Sequence, residues 1–180
     1  MPGSYRQSLN KMPCVSNIET IWGTMNDQLP NDRDYNLWIL LCQARDTIFK
    51  ARGKELTQCG VTVEQACILF VVQAIGDKAT PTEISRWMLR EPHTISTILT
   101  RMEKDGLVSK SKDLDKKSRV IVALTEKGRQ VYSQSSKRNS IREIISCLSE
   151  EEHNQLGSLL EKLRDNALKN IAKVAKPPFP

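Results

Sequence analysis

Four hydroxyl side chains lie in one short stretch of the chain, namely Thr94, Ser96, Thr97 and Thr100. Short hydroxyl groups can donate or accept hydrogen bonds at base edges and phosphates, and they let a helix approach a duplex closely. Serine and threonine are mediocre helix formers, so this number of them in one helix indicates a use other than helix stability. The alternative is an ordinary solvated helix face. The pattern favours contact with DNA.

The helix that carries these groups has two distinct faces. Its apolar side chains recur at the helical period, at Ile95, Ile98, Leu99 and Met102. Pro92 suits the first position of a helix, and Gly106 suits the left-handed backbone position that commonly follows a helix. The candidate DNA-contacting residues of this helix are His93, Thr94, Ser96, Thr97, Thr100, Arg101 and Lys104. For Arg101, a phosphate contact and an ion pair with Asp105 are both open.

A basic hairpin is predicted directly after this helix. Val108–Lys112 and Arg119–Leu124 have strand character, and the polar segment Asp113–Ser118 between them is a turn. Five cations fall in this hairpin, at Lys110, Lys112, Lys116, Lys117 and Arg119. A charge run is usually a solvated face, but a hairpin beside a recognition helix can follow phosphates or enter the minor groove. We therefore expect these cations to contact DNA, although Arg119 has the alternative of facing the core side of its strand.

Two helices are predicted to position the hydroxyl-bearing one. The first begins at Thr62, runs to about Ile75 and is apolar nearly all round, so it is expected to be buried. Thr80 and Glu83 can form a capping box for the second, with a proline between them at the first helical position. Pro92 ends this second helix and begins the hydroxyl-bearing one, and because the break between them is only a few residues long, these two must cross sharply, as in a helix-turn-helix. Thr80 and Thr82 are further candidates for phosphate contact at a helix N-terminus.

Helices with apolar stripes flank this central module. One begins near Asp34, one follows Thr125 and continues through Ile141 to Leu148, and the last follows Ser149. Stripes that a small central module cannot cover suggest an oligomer. The predicted divisions are an N-terminal extension (1–34), a helical dimerisation region (35–60 and 126–172), a winged-helix DNA-binding domain (61–125) and a tail (173–180).

Composition narrows the class of protein. The 180 residues include 27 Lys and Arg against 21 Asp and Glu, and this net +6 suits a polyanionic partner. No apolar run approaches the roughly 20 residues of a membrane span, and no signal peptide is recognisable. Five cysteines at irregular spacing and two histidines predict neither a disulfide framework nor a metal site, and a reducing cytoplasm is the expected compartment. Of the thiols, Cys42 and Cys67 are expected to be buried and Cys59 to be the more exposed.

The segment from Pro92 to Val108 resembles the recognition helix of the MarR family of multiple-antibiotic-resistance-type transcriptional regulators, and Leu124-Thr125-Glu126-Lys127-Gly128 resembles the family's strand-to-helix junction. The resemblance covers about residues 34–171. It implies a mainly α fold with a small β-hairpin, in which a winged helix-turn-helix core is flanked by N- and C-terminal dimerisation helices. The wing departs from the family's Asp-x-Arg pair in two ways. Lys117 stands where the family has arginine, and the pair Asp115 and Lys117 is one residue further from Leu124 than the family's pair usually is.

The resemblance also implies a signal. Such proteins are often repressors relieved by a small aromatic ligand or by thiol oxidation, and Trp38, Cys42 and Phe70 are the candidate pocket residues. Aromatic and cysteine residues at helical spacing are more often part of a core. No cofactor is implied.

The sequence thus predicts a cytoplasmic homodimeric repressor that binds a palindromic site in double-stranded DNA. The alternative is a winged-helix module whose same helix face contacts a protein. An enzyme is not predicted, because the sequence has no phosphate-binding glycine loop, nucleophile elbow or His-Glu-x-x-His run.

Overall fold

A computed structural model describes residues 32–112, 119–171 and 177 of the chain. The predicted extension apart from residues 32–34, the wing turn with Lys116 and Lys117, and the tail apart from Pro177 lie outside the described residues. The chain divides into two units, residues 1–46 and residues 47–180. The helices are α1 (Arg33–Leu56), α2 (Val63–Ile75), α3 (Pro81–Met88), α4 (Pro92–Lys104), α5 (Glu126–Ser135), α6 (Asn139–Ile145) and α7 (Glu150–Asn170), and the strands are β1 (Val108–Lys112) and β2 (Val120–Leu124). This mainly helical fold with a single described hairpin confirms the predicted fold class.

The core of the second unit lies where α2, α3, α4 and the hairpin meet. Each element contributes its predicted apolar face, and each fully buried side chain of this kind contributes roughly 1.5–3 kcal/mol. The largest fully buried side chains are Leu56, Ile68, Leu69, Ile84, Ile95, Leu99, Met102, Val108 and Val122. Packing of the recognition helix through Ile95, Leu99 and Met102 leaves its other face to solvent.

Local signals in the sequence set the helix boundaries as predicted. The Thr62 hydroxyl accepts from the amide of Gln65 in a capping box that begins α2, and Ser149 and Glu152 form the same box before α7. Gly106 has φ 71°, and the Leu107 amide donates to the Met102 carbonyl at 2.8 Å, which closes α4 with a Schellman turn. Leu107 thereby turns into the core.

The hairpin is antiparallel and is attached to the rest of the unit through β2. Val108 pairs with Leu124 and Lys110 with Val122 in its register. The Val122 amide donates to the Ala79 carbonyl at 2.8 Å, just before α3. The two strands are therefore fixed relative to the helix-turn-helix.

Three expectations differ from the structure. The helix after Thr125 is not continuous, because Arg138 adopts a left-handed conformation (φ 51°) and separates α5 from α6. Glu83 does bond back to Thr80, but its carboxylate accepts from the Thr80 hydroxyl rather than from the backbone amide. Cys67 is exposed rather than buried, whereas Cys59 is half-buried against the core. Nothing in the sequence marks Arg138 as a break, since it is neither glycine nor asparagine.

The last helix carries an exposed apolar stripe. Leu156, Leu159, Leu160 and Leu163 are 44–58% exposed on α7. In the first unit, Tyr35, Leu37, Trp38 and Leu40 on α1 are also exposed, and the Tyr35 and Trp38 rings lie 5.3 Å apart. Among the described residues, no single helix combines length and apolar character to the degree that a membrane crossing requires, although the bent pair Arg33–Cys59 and Val63–Lys78 does so jointly.

Candidate nucleic-acid interface

The structure places the hydroxyl side chains of α4 on its outward face. Ser96, Thr97 and Thr100 are exposed, and Thr94 is half-buried. The other candidates of this helix, His93, Arg101 and Lys104, are exposed as well. Six of the seven predicted residues of α4 are therefore exposed, and Thr94 is half-buried. Within the described part of the chain, the first turns of α4 keep an accessible outer side.

Two of these hydroxyls are bonded back to their own helix. The Thr97 hydroxyl donates to the His93 carbonyl at 3.0 Å, and the Thr100 hydroxyl donates to the Ser96 carbonyl at 2.9 Å. Since each hydroxyl has a single proton, both oxygens are left as acceptors, and that of Thr100 already accepts from Lys110. An acceptor on a major-groove helix can recognise the amino group of adenine or cytosine.

The cations of the hairpin occupy different environments. Lys110 is an ion-pair partner of Glu103, with Nζ 3.1 Å from the carboxylate, and it also donates to Thr100. Arg119 lies directly before β2 rather than in it, with its guanidinium 3.8 Å from the Glu83 carboxylate. Lys112 is exposed at the end of β1. Lys116 and Lys117 remain predictions.

The turn between α3 and α4 is held by residues that the sequence did not single out. Leu89 takes a left-handed conformation (φ 48°), and the Ser85 hydroxyl donates to the Arg90 carbonyl at 2.6 Å. These contacts fix the crossing of the two helices. Of the two threonines at the start of α3, the N-cap Thr80 is buried and engaged by Glu83, so only Thr82, inside the first turn, presents an exposed side chain. A serine three residues before the helix end at Met88 could have indicated the Ser85 contact, but no signal marks Leu89.

Of the two alternatives for Arg101, the structure does not contain the ion pair with Asp105. Its guanidinium has no ion pair or hydrogen bond with another described residue. It lines a shallow cavity of about 320 Å³ beside α4, together with Arg90 and Glu64. Arg101 therefore remains available for a phosphate.

A second cavity, of about 300 Å³, lies away from the α4 surface. It is lined by Arg52, Val63, Ala66, Cys67, Phe70, Tyr132, Ser135, Ser136, Arg138 and Ile141. The guanidinium of Arg138 stacks 5.0 Å from the centre of the Phe70 ring, a cation–π geometry. Phe70 thus lines a cavity, whereas Trp38 and Cys42 belong to the first unit.

The environment of the Cys67 thiol at this cavity disfavours the thiolate, because desolvation raises its pKa and the nearby Glu64 carboxylate raises it further, against the opposing charges of three arginines. A raised pKa keeps the thiol protonated near neutral pH.

One wall of the second cavity is held by a charged network. Arg52 pairs with Glu55 at 2.6 Å and also donates to the Ser135 carbonyl at the end of α5. Glu55 in turn accepts from the Asn139 amide at 2.9 Å and from the Ser140 hydroxyl, at the start of α6. Desolvation would raise the pKa of Glu55, but the hydrogen bonds from Ser140, Arg52 and Asn139 outweigh it and lower the pKa from 4.5 to about 2. The end of α1 is thereby fixed to the α5–α6 junction.

The fold and this surface define a winged helix-turn-helix protein with a polar recognition face. Residues 60–118 match the sequence profile of the MarR family. The homoprotocatechuate degradative operon repressor of Escherichia coli is 34% identical over 129 residues, which are 71% of this chain and 86% of that protein.

Solved structures agree with these matches. The organohalide-sensing transcriptional regulator RdhR-CbdbA1625, in its 2,4-dichlorophenol-bound form, is 32% identical, with a TM-score of 0.76 over 85% of this chain and 96% of that one. A MarR variant from Escherichia coli, complexed with operator DNA, shares the fold at 20% identity, with a TM-score of 0.67 over 77% of this chain and 96% of that one. The chain belongs to the MarR family of DNA-binding transcriptional regulators.

Proposed function

We propose that this protein is a dimeric repressor that reads a palindromic DNA site through the N-terminal turns of α4. The exposed hydroxyl face of α4 carries this proposal, with His93, Thr94, Ser96 and Thr97 as the base-reading residues. Residues at the start of a recognition helix usually reach the bases in this architecture. Lys112, Lys116 and Lys117 then follow the phosphates on either side of the groove, and Arg101 and Lys104 contact the backbone near the helix end.

The exposed stripe of α7 supports dimerisation. Leucines at 44–58% exposure over two turns form an apolar surface that a monomer would leave in water. A twofold dimer would set two recognition helices about 34 Å apart, one turn of DNA. Sedimentation of the full chain should show a dimer at micromolar concentration, and a monomer there would overturn this part of the proposal.

A small aromatic effector would occupy the cavity lined by Phe70 and Arg138. Apolar walls and two guanidinium groups suit a ligand with an aromatic body and a polar or acidic substituent. RdhR-CbdbA1625, which is 32% identical, was crystallised with 2,4-dichlorophenol. Redox control at Cys67 is not favoured, since its raised pKa opposes thiolate formation. The protein would act in the cytoplasm and without catalysing a reaction.

Recovery of genomic fragments by the purified full chain tests the proposal. We expect the bound fragments to share a palindrome, and we expect a mobility shift with the region upstream of the protein's own gene. The test variant is the double substitution Ser96→Ala, Thr97→Val, which removes two reading hydroxyls but keeps the charge and the buried face of α4. Equal recovery of the same fragments by this variant would refute the assignment of the reading face. Failure of the wild-type protein to retain DNA, with capture of a protein partner instead, would favour the protein-interaction alternative.

A further inference from the structure

A polar cluster joins the first strand of the hairpin to the second half of the recognition helix. Lys110 is the central residue, because its amine contacts both the Glu103 carboxylate at 3.1 Å and the Thr100 hydroxyl at 3.2 Å. Thr100 and Glu103 are neighbours one helical turn apart on the same face of α4, and the Lys110 amine on β1 contacts both. The cluster therefore spans the gap between two elements that must lie on DNA together.

The strand itself directs Lys110 toward the helix. Side chains alternate along a strand, so Lys110 lies on the same side of β1 as Val108, which is 2% exposed in the core. The side chain of Lys110 is only 23% exposed, and its amine reaches Glu103 and Thr100 on α4. Lys112, two residues further on the same side, is exposed. Of the two lysines described on β1, Lys110 is therefore the one whose stem packs against the domain.

The bonding capacity of the cluster is largely used. The Thr100 hydroxyl gives its one proton to the Ser96 carbonyl and accepts from Lys110. The charge of Lys110 is balanced by Glu103, so a phosphate would have to compete with a carboxylate already in place. A lysine that stays paired with Glu103 neutralises no phosphate and so releases no counterion from DNA.

We infer that Lys110 is a positioning residue that fixes the wing against α4 through Glu103 and Thr100, and that neither Lys110 nor Thr100 contacts DNA. This inference rests on the proposed DNA-binding function and narrows the interface. Base reading then falls to the first two turns of α4, and phosphate contact in the described part of the wing falls to Lys112.

The effect of removing Glu103 separates this role from a phosphate contact. Removing a negative charge beside DNA should strengthen binding if Glu103 only opposes the phosphates. If Glu103 holds Lys110 in place, Glu103→Gln should instead weaken binding by about two- to fivefold, the range of a partly exposed ion pair. The reversed pair, Lys110→Glu with Glu103→Lys, should recover most of the affinity.

The slope of the salt dependence gives a second measurement. Each neutralised phosphate contributes about 0.9 to the slope of log K against log salt. With a duplex obtained by in vitro selection as the probe, Lys110→Gln should lower affinity at unchanged slope, and Lys112→Gln, the matched control on the same strand, should reduce the slope. A reduced slope for Lys110→Gln, or tighter binding by Glu103→Gln, would overturn the inference.

A double-mutant cycle on the unfolding of the free protein completes the test. Coupling between Lys110→Gln and Glu103→Gln is expected without DNA, and its absence would also overturn the inference. If the wild-type protein selects no duplex although the coupling is present, the proposed function fails, and the positioning role for DNA binding fails with it. Coupling together with an unchanged slope for Lys110→Gln supports both.

Discussion

Replacing Gly128 by alanine should destabilise the protein strongly. Gly128 lies in the first turn of α5, just after β2, beside the Gly106–Leu107 segment that follows α4. A methyl group built there would lie 1.9 Å from the Leu107 carbonyl oxygen and 3.0 Å from its carbonyl carbon. Both atoms belong to the backbone, so a rotamer change cannot relieve the clash.

The size of the effect follows from what must move. The Leu107 carbonyl accepts the Thr125 amide at 3.2 Å, and the Thr125 hydroxyl donates to the Gly106 carbonyl at 2.6 Å while it caps α5 through the Gly128 amide. A displacement of more than about 1 Å would strain these contacts. Overpacking costs about 1–3 kcal/mol and loss of a cap about 1 kcal/mol, so we expect a loss of about 3 kcal/mol.

Gly53→Ala is the matched control for this prediction. Gly53 lies inside α1, and a methyl group there would make an ordinary contact of 3.8 Å with Val63. Alanine should therefore stabilise by about 0.5–1 kcal/mol through the backbone entropy of the unfolded chain. Urea unfolding followed by circular dichroism, at one protein concentration, measures both. A Gly128→Ala variant as stable as the wild type would refute the reasoning.

Three further predictions concern the recognition helix and the second cavity. Thr97→Val should cost about 1–3 kcal/mol of DNA-binding free energy and relax the preference at one base pair, whereas unchanged selectivity in a binding selection would exclude Thr97 as a reader. Glu55→Gln should cost on the order of 2 kcal/mol at pH 7. Because the folded-state pKa of Glu55 is lowered to about 2, this stabilisation is present above about pH 4.5 and is lost as the pH falls toward 2. Acid titration of unfolding should therefore bring the variant and the wild type together, and parallel curves would contradict the network. Cys67 should react with iodoacetamide several-fold more slowly than free cysteine at pH 7, as measured by mass spectrometry, since desolvation raises its pKa.

The elements that local signals determine could be predicted from the sequence. The Thr62 cap, the proline at the start of α4 and the glycine after it each act within a few residues, and the structure has them where the pattern indicates. The apolar period of α4 likewise determined which face is exposed.

Features that depend on contacts between distant residues were not predictable. The break at Arg138 depends on Glu55, more than eighty positions earlier, which caps the α6 amides. Lys110 counts as one of five cations in the sequence, and only the packing of β1 against α4 brings its amine to Glu103. The exposure of Cys67 could not be read from α2, because that helix is apolar on nearly all sides and the sequence does not show which side is covered.

Site-specific crosslinking tests the central claim most directly. A diazirine amino acid at Thr97, on the outward face of α4, should crosslink to a duplex obtained by in vitro selection, within the major groove of each half-site. The same group at Gln155, exposed on α7, should give no DNA crosslink. A crosslink from position 155 and none from position 97 would contradict the account.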